Sequence, residues 1–305
     1  MPMRKIWNNQ YEQLRKIGEG ASGRVMLARD LHLNRLVAIK EMEQIREIRR
    51  EMELLKALKH PGLPDIYDYF EEDRHGFLVM EYVEGVTLKE YLEQHGKPEL
   101  TQAIVWMKEL LDILVYLHEQ HPAVVYRDLK PANLIIQEEG HLKLIDLGGA
   151  FFRCHNQSEE RVSIGTPGYS APEQWNGIQA DVSCDIFSFG AVAHELLTGV
   201  NPLKPPYERR PVRRYDRRIP VSYEQMIQKC TREHPKERYA SMREVLKALE
   251  DCETIKRRGK WKGLHLCRCL LTAIPVTMGA LLVILPLLNG IPRSSFPDPF
   301  LRKPI

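Results

Sequence analysis

The chain has 305 residues, 43% hydrophobic and 28% charged, a globular profile rather than a disordered or collagen-like one. Its 44 Lys and Arg against 41 Asp and Glu leave a formal charge of +3, too small to argue for a nucleic-acid partner. The six Cys, at 154, 184, 230, 252, 267 and 269, form no CxxC pair and no cluster with His, so neither a zinc site nor a disulfide framework is expected, and a reducing compartment fits.

The opening "MPMRKIWNNQ" has no apolar run behind its basic residues, so no cleaved secretory signal is expected. From Tyr11, "YEQLRKIGEGASGRVMLARD" and "RLVAIKEM" alternate as strands do, with "LHLN" as the turn between them. Gly18, Gly20 and Gly23 therefore sit at a hairpin tip, not at the strand-to-helix turn of a dinucleotide site. Lacking a Cβ, such residues let backbone N–H groups approach a phosphate. Lys40 ends the second apolar strand, and pairing with phosphate oxygens and a carboxylate would account for it.

Ile45, Ile48, Met52, Leu55 and Leu58 recur at helical spacing over 44–58, and "HPGLP" ends the helix. Glu51 is the carboxylate candidate for Lys40, with Glu47 as its rival. The interval from Lys40 to Glu51 is only 11 residues, so the helix must begin almost directly after the strand. Two more strands follow, ending in "GFLVMEYVEG". From Leu100 the pattern is mostly helical: "TQAIVWMKELLDILVYLHEQ", "CDIFSFGAVAHELLTG", "YEQMIQKCTREH" and "SMREVLKALEDCE". A small strand-rich lobe, a connector and a larger helical lobe are expected. Between the helical groups "YERRPVRRYDRRIP" carries six Arg from 209 to 218. A solvated loop is the plain reading, and docking of acidic peptides or anionic lipid headgroups is the sharper one.

The C-terminal part differs. Between Arg268 and Arg293 run 24 uncharged residues, "CLLTAIPVTMGALLVILPLLNGIP". As a helix they would measure about 36 Å, enough for a hydrocarbon core of about 30 Å. Lys256, Arg257, Arg258, Lys260, Lys262 and Arg268 precede the span, and only Arg293, Arg302 and Lys303 follow it, which keeps the large N-terminal part cytoplasmic. The expected layout is a folded domain over 11–250 (small lobe about 11–83, large lobe about 84–250), a basic linker at 251–268, a single cell-membrane span at 269–291 and a short outer tail at 292–305. Dimerisation through the span stays open, since it lacks a GxxxG.

Taken together, "GEGASGRV", "VAIK", "YRDLKPAN", "DLGG" and "APE", in this order, resemble the eukaryotic-type (Hanks-type) serine/threonine protein kinases, in particular bacterial membrane-anchored members. The likeness runs from about Tyr11 to Glu250. It implies a bilobal α+β fold and transfer of the ATP γ-phosphate to Ser or Thr hydroxyls of proteins, with autophosphorylation. It also implies Mg²⁺, with Mn²⁺ as the alternative. Asp128 would be the base, Lys130 would steady the transferring phosphoryl group, and Thr166 would bond both. Asn133 and Asp146 would hold the metal, a pair of hard oxygen donors that suits Mg²⁺. The nucleotide would lie among Ile17, Gly18, Glu19, Gly20, Gly23, Val25, Ala38, Lys40, Glu51 and Ile135. The connector "MEYV", with Glu81 and Val83, would meet the adenine.

In the same resemblance Glu173, Asp185 and Arg238 would anchor the large lobe, the last pairing with Glu173. Arg127 would clasp a phosphate on the activation segment, where Ser158 and Ser163 are the candidates. Glu159 and Glu160 could instead pair with Arg127 without any phosphate. Tyr126 stands where the family usually has His. It is expected to fill the same apolar column while keeping a polar tip. Leu147 replaces the usual Phe as a volume-tolerant swap. Two competing readings are a nucleotide-binding pseudokinase scaffold, opposed by the presence of Lys40, Asp128, Asn133 and Asp146, and a small-molecule phosphotransferase, opposed by "APE".

Overall fold

Alternating side chains build the first lobe. In the computed structural model, which describes residues 5–20, 23–153, 165–175, 181–205 and 209–254, strands β1 (Ile6–Trp7), β2 (Tyr11–Gly20), β3 (Gly23–Asp30) and β4 (Arg35–Met42) are followed by helix α1 (Ile45–Ala57), β5 (Ile66–Glu72) and β6 (His75–Glu81). The six strands form one antiparallel sheet in the order β1-β2-β3-β4-β6-β5. Because successive strand residues face opposite ways, Val37 and Ile39 join Trp7, Tyr11, Met26, Ala28, Phe77 and Val79 on one face. Ala38 and Met42 turn to the other, where Ile48, Leu54 and Leu55 of α1 pack. Burying each such aliphatic or aromatic side chain contributes roughly 1.5–3 kcal/mol. The sheet starts at Ile6, ahead of the expected boundary at 11; a two-residue strand carries no periodicity to read.

Helix α1 begins three residues after β4 ends, so the short Lys40-to-Glu51 interval is met by an abrupt strand-to-helix junction. Its buried residues are Ile48, Glu51, Leu54 and Leu55, whereas Glu47 is exposed. The predicted helix over 44–58 thus stands within a residue at each end.

The second lobe starts with β7 (Val86–Thr87) and α2 (Leu88–His95), whose start is closed by a Thr87–Glu90 capping box. Helix α3 (Leu100–His118), β8 (Val124–Val125), β9 (Leu134–Ile136), β10 (Leu142–Leu144), β11 (Phe151–Phe152), α4 (Pro172–Trp175), α5 (Val182–Thr198) and α6 (Val221–Cys230) follow. A further helix starts at residue 242 and brings Met242, Val245, Leu249 and Cys252 to the core. Helix α5 is buried from Cys184 to Leu197, on every face, as befits the central helix of a lobe. Asp181 caps its first turn by accepting from the Val182 N–H at 2.7 Å. Cys184, Cys230 and Cys252 are buried.

Helices were expected from Leu100, and those found match the periodic segments; helix α2 and the short strands β7 to β11 were not anticipated. The arginine-rich stretch departs from a uniformly solvated loop. Arg209 turns inward, donating to the Gly168 carbonyl at 2.6 Å and lying over the Phe187 ring. Arg213 donates to the Ile219 carbonyl, and Arg218 pairs with Asp216, which Lys97 also meets. A guanidinium can satisfy backbone carbonyls while its stem packs on apolar surface, so composition alone does not put it in water.

The described residues up to Cys252 form one compact unit. The linker beyond 254, the expected span at 269–291, the tail, and Ser158, Glu159, Glu160 and Ser163 lie outside the described residues. Among the described residues no helix is long and apolar enough to cross a membrane.

Candidate functional site

Short strands gather the polar residues. The segment 126–133 connects β8 to β9, and Asp146 stands two residues past β10. Strands β9 and β10 pair antiparallel, Leu134 against Leu144, and the Ile145 N–H donates to the Asn133 carbonyl at 2.8 Å. That pairing brings Asp146 beside Asn133 although 13 residues separate them in sequence. Strand β11 pairs back onto β8, so the chain beyond Asp146 returns along the start of the same loop.

Within the loop, Lys130 Nζ lies 2.6 Å from Asp128 Oδ2 and 3.1 Å from Thr166 Oγ1. The Thr166 hydroxyl donates to Asp128 Oδ1 at 2.8 Å, so the three side chains close a triangle. The Asn133 amide donates to the Asp128 carbonyl at 2.9 Å and approaches its carboxylate at 3.4 Å. Asp128 and Lys130 are both partly exposed, so an incoming hydroxyl can reach them. A carboxylate held by one cation and one hydroxyl, at a solvent-facing edge, can accept a proton from an alcohol.

On the other lobe's side, Lys40 Nζ lies 2.6 Å from Glu51 Oε2 and 2.7 Å from Asp146 Oδ1. Burial works against the Lys40 ammonium, but the two carboxylates overcome it and hold its pKa above the ordinary value. Burial raises the pKa of Glu51, with Lys40 opposing. Asp146 would be raised by burial as well, but Lys40 draws it below the usual carboxylate range. This ion triple joins strand, helix and loop. Gly148 lies against it: a Cβ there would come within 2.9 Å of Lys40 Nζ and 3.1 Å of Asp146 Oδ1. Asp146 and Arg127 both hold positive φ, 64° and 69°, in the left-handed region that non-glycine residues rarely adopt. Such strain persists only where surrounding contacts impose it, and it concentrates at working sites.

The glycine-bearing arms lie on the same sheet as Lys40. Gly18 pairs with Val25, Glu19 with Arg24, Gly20 with Gly23, and Val25 in turn with Lys40. A register shift between Lys16 and Gly18 leaves Ile17 out of the ladder. Ala38 pairs with Met80 and is buried, as is Val83. Ile135 pairs with Thr87. The Glu81 carboxylate accepts two bonds from Lys143, at 2.5 and 2.6 Å, which links β6 to β10 across the connector.

The large-lobe anchors are also built. Asp185 is fully buried and accepts from the N–H groups of Tyr126 and Arg127, both at 2.8 Å, with His118 Nε2 at 2.9 Å. Tyr126 is fully buried and donates its hydroxyl to the Ile145 carbonyl at 2.6 Å. Burial raises its pKa well above the usual phenol value. Arg127 donates to the Gly149 carbonyl at 2.6 Å and lies over the Phe151 ring. Arg238 grips Glu173 with two prongs at 2.6 and 2.8 Å, both partners buried. Leu147 is buried in the main core. Sequence reasoning did not single out His118, Lys143 or Gln174, whose amide donates to the Arg127 carbonyl at 3.0 Å. Each joins segments remote in sequence, and no local signal marks such a partner.

Among the described residues no group of three or more His, Cys, Asp or Glu is placed to hold a metal ion. The Asp146 carboxylate and Asn133 carboxamide offer the few hard oxygen donors that Mg²⁺ needs when phosphate and water complete its shell, so the residues present fit that ion. Lys40, buried between two carboxylates, suits the nucleotide phosphates.

Comparison with known proteins matches residues 11–260 to the family model described as the protein kinase domain. The serine/threonine-protein kinase PrkC of Bacillus subtilis (strain 168) is 35% identical over 258 residues, covering 78% of this chain and 40% of that protein. The probable serine/threonine-protein kinase PknB of Lactococcus lactis is 30% identical over 279 residues, covering 85% of this chain and 44% of that one. Aurora kinase C of Mus musculus is 33% identical over 259 residues, covering 78% of this chain and 90% of that protein. The chain thus spans less than half the length of the two bacterial relatives.

Proposed function

This chain belongs to the protein kinase family, and we propose that it transfers the γ-phosphate of ATP to serine and threonine hydroxyls of proteins. The observation that carries the reading is the triangle of Asp128, Lys130 and Thr166 beside Asn133, together with the Lys40–Glu51–Asp146 triple. The bacterial relatives' names, which specify serine/threonine-protein kinases, support the choice of hydroxyl. So does Lys130, two residues after Asp128.

In this reading the glycine hairpin and Lys40 receive the nucleotide phosphates, and Ile17, Val25, Ala38, Val83 and Ile135 line the adenine. Asn133 and Asp146 would hold Mg²⁺, which supplies positive charge against the phosphate oxygens. Asp128 accepts the proton as the substrate hydroxyl oxygen bonds to the γ-phosphorus and ADP leaves. Lys130 holds cationic charge next to that carboxylate, and Thr166 fixes its rotamer. Phosphoryl transfer asks the protein mainly for placement and charge neutralisation, which these groups can supply.

The kinase domain is assigned to 11–250, and the apolar run 269–291 to a single membrane span that leaves the domain cytoplasmic. The uncharged length of the run and the cations before it support this. Autophosphorylation at Ser158 or Ser163 belongs to the same reading, with Arg127 as the receiving cation. The test is transfer of radiolabel from γ-labelled ATP to a generic protein substrate. The wild type labels it and Asp128→Asn does not; labelling that survives in Asp128→Asn would overturn the assignment.

A further inference from the structure

The sheet face opposite Lys40 ends in a charged pair beside the glycine hairpin. Arg24 on β3 and Glu41 on β4 are register partners. Arg24 Nε and Nη2 donate to Glu41 Oε2 and Oε1 at 2.6 and 2.7 Å, a two-pronged bond. Glu41 is only 5% exposed, and the guanidinium that meets it is half exposed. Strand alternation sets the pair on the face of Val37 and Ile39, away from the ion triple.

The backbone makes a second tie at the same residue. Gly23, the last hairpin glycine, has φ +101°, and a Cβ on it would lie 2.3 Å from the Glu41 carbonyl oxygen. The returning arm of the hairpin therefore rests on the Glu41 backbone and is clasped by the Glu41 side chain. Glu41 is the immediate neighbour of Lys40. Whatever sets Glu41 relative to Arg24 also sets the hairpin relative to Lys40.

We propose that Arg24 and Glu41 are a positioning pair that fixes the glycine hairpin over Lys40 and so tunes affinity for the nucleotide, a role that deepens the kinase reading and rests on it. Neither side chain lies on the Lys40 face of the sheet. A fork-to-carboxylate bond is directional where a lysine would be a point charge, which is what fixing an arm requires. Because Glu41 is almost wholly buried, removing Arg24 also lowers Tm, so placement is read from the ATP KM beside the melting. Placement errors near 1 Å can cost about 100-fold in rate, so a small tilt of the hairpin is measurable.

The experiment is steady-state phosphorylation of a Ser/Thr peptide by the full chain, with ATP and peptide varied separately and Tm recorded. Arg24→Ala and Glu41→Gln each raise the KM for ATP about fivefold to tenfold while the peptide KM stays within about twofold. Arg24→Lys, which keeps charge but not the fork, falls between. The exchange of Arg24→Glu with Glu41→Arg brings the ATP KM back to within about twofold of wild type. Single variants whose ATP KM is unchanged, or which lower Tm alone, overturn the proposal, as does an exchange variant that folds yet keeps the raised KM. A wild type with no transfer at all overturns the kinase reading and this pair with it; an active wild type with unaffected variants overturns the pair alone.

Discussion

Lys40 Nζ stands 2.6 Å from Glu51 Oε2 across the junction of β4 and α1, with both groups almost wholly buried. Removing one charge from such a pair leaves the other uncompensated. Lys40→Met should cost roughly 3–5 kcal/mol, whereas adding Glu51→Gln to it should return part of that loss. Urea unfolding of both variants checks this. Equal destabilisation by the single and the double change would contradict it. Both variants should lack phosphoryl transfer, because Lys40 is also the proposed phosphate contact.

Tyr126 tests whether an aromatic column or the phenol hydroxyl matters at this position. Tyr126→Phe keeps the ring but strips the Ile145 carbonyl of its donor. The expected cost is about 1–3 kcal/mol, with transfer activity reduced less than about tenfold. Tyr126→Ala leaves a cavity and should cost about 3–5 kcal/mol. Thermal unfolding beside the transfer assay separates the two, and a Tyr126→Phe protein that is stable but inactive would give the hydroxyl a chemical role instead.

Arg238 donates to both Glu173 oxygens and to the carbonyls of Ser183, Arg232 and Glu233. Arg238→Ala should therefore cost on the order of 3–5 kcal/mol. Arg238→Lys retains charge without the fork and should recover less than half of that cost, about 2 kcal/mol at most. Full recovery by lysine, in the same denaturation series, would mean that charge alone suffices.

Glu195 on α5 gives a pH dependence. Burial raises its carboxyl to about 7 from 4.5, although the Tyr169 hydroxyl bond pulls the other way. The folded chain therefore keeps this proton to higher pH than the unfolded chain does. Stability from this group is greatest below pH 4.5 and declines as pH rises through 7, by on the order of 3 kcal/mol. Glu195→Gln should flatten the stability profile between those two values. A wild-type profile that rises over the same window, relative to Glu195→Gln, would contradict the assignment.

Periodicity made the two-lobe layout legible. Helix α1 and helices α3, α5 and α6 each show apolar residues at helical spacing, and the early strands alternate. Strands β1, β7, β8 and β11, of two residues each, carry no period and were unreadable. Asp128, Asn133 and Asp146 could be picked out because "YRDLKPAN" and "DLGG" resemble kinase motifs, but the pairing of β9 with β10 that joins them is a tertiary fact. Glu51 was the candidate partner of Lys40 and Glu47 its rival; burial of Glu51 on α1, with Glu47 exposed, separates them. Composition does not show that, within the largely exposed arginine stretch, Arg209 bonds the Gly168 carbonyl.

The account rests on Asn133 and Asp146 as metal holders that let ATP bind beside Asp128. Titration calorimetry of the full chain with ATP, with and without magnesium, tests this most directly. Saturable uptake that needs magnesium, and that weakens at least about tenfold in Asp146→Asn, is the predicted result. Uptake indifferent to both magnesium and Asp146, or no uptake at all, would contradict it.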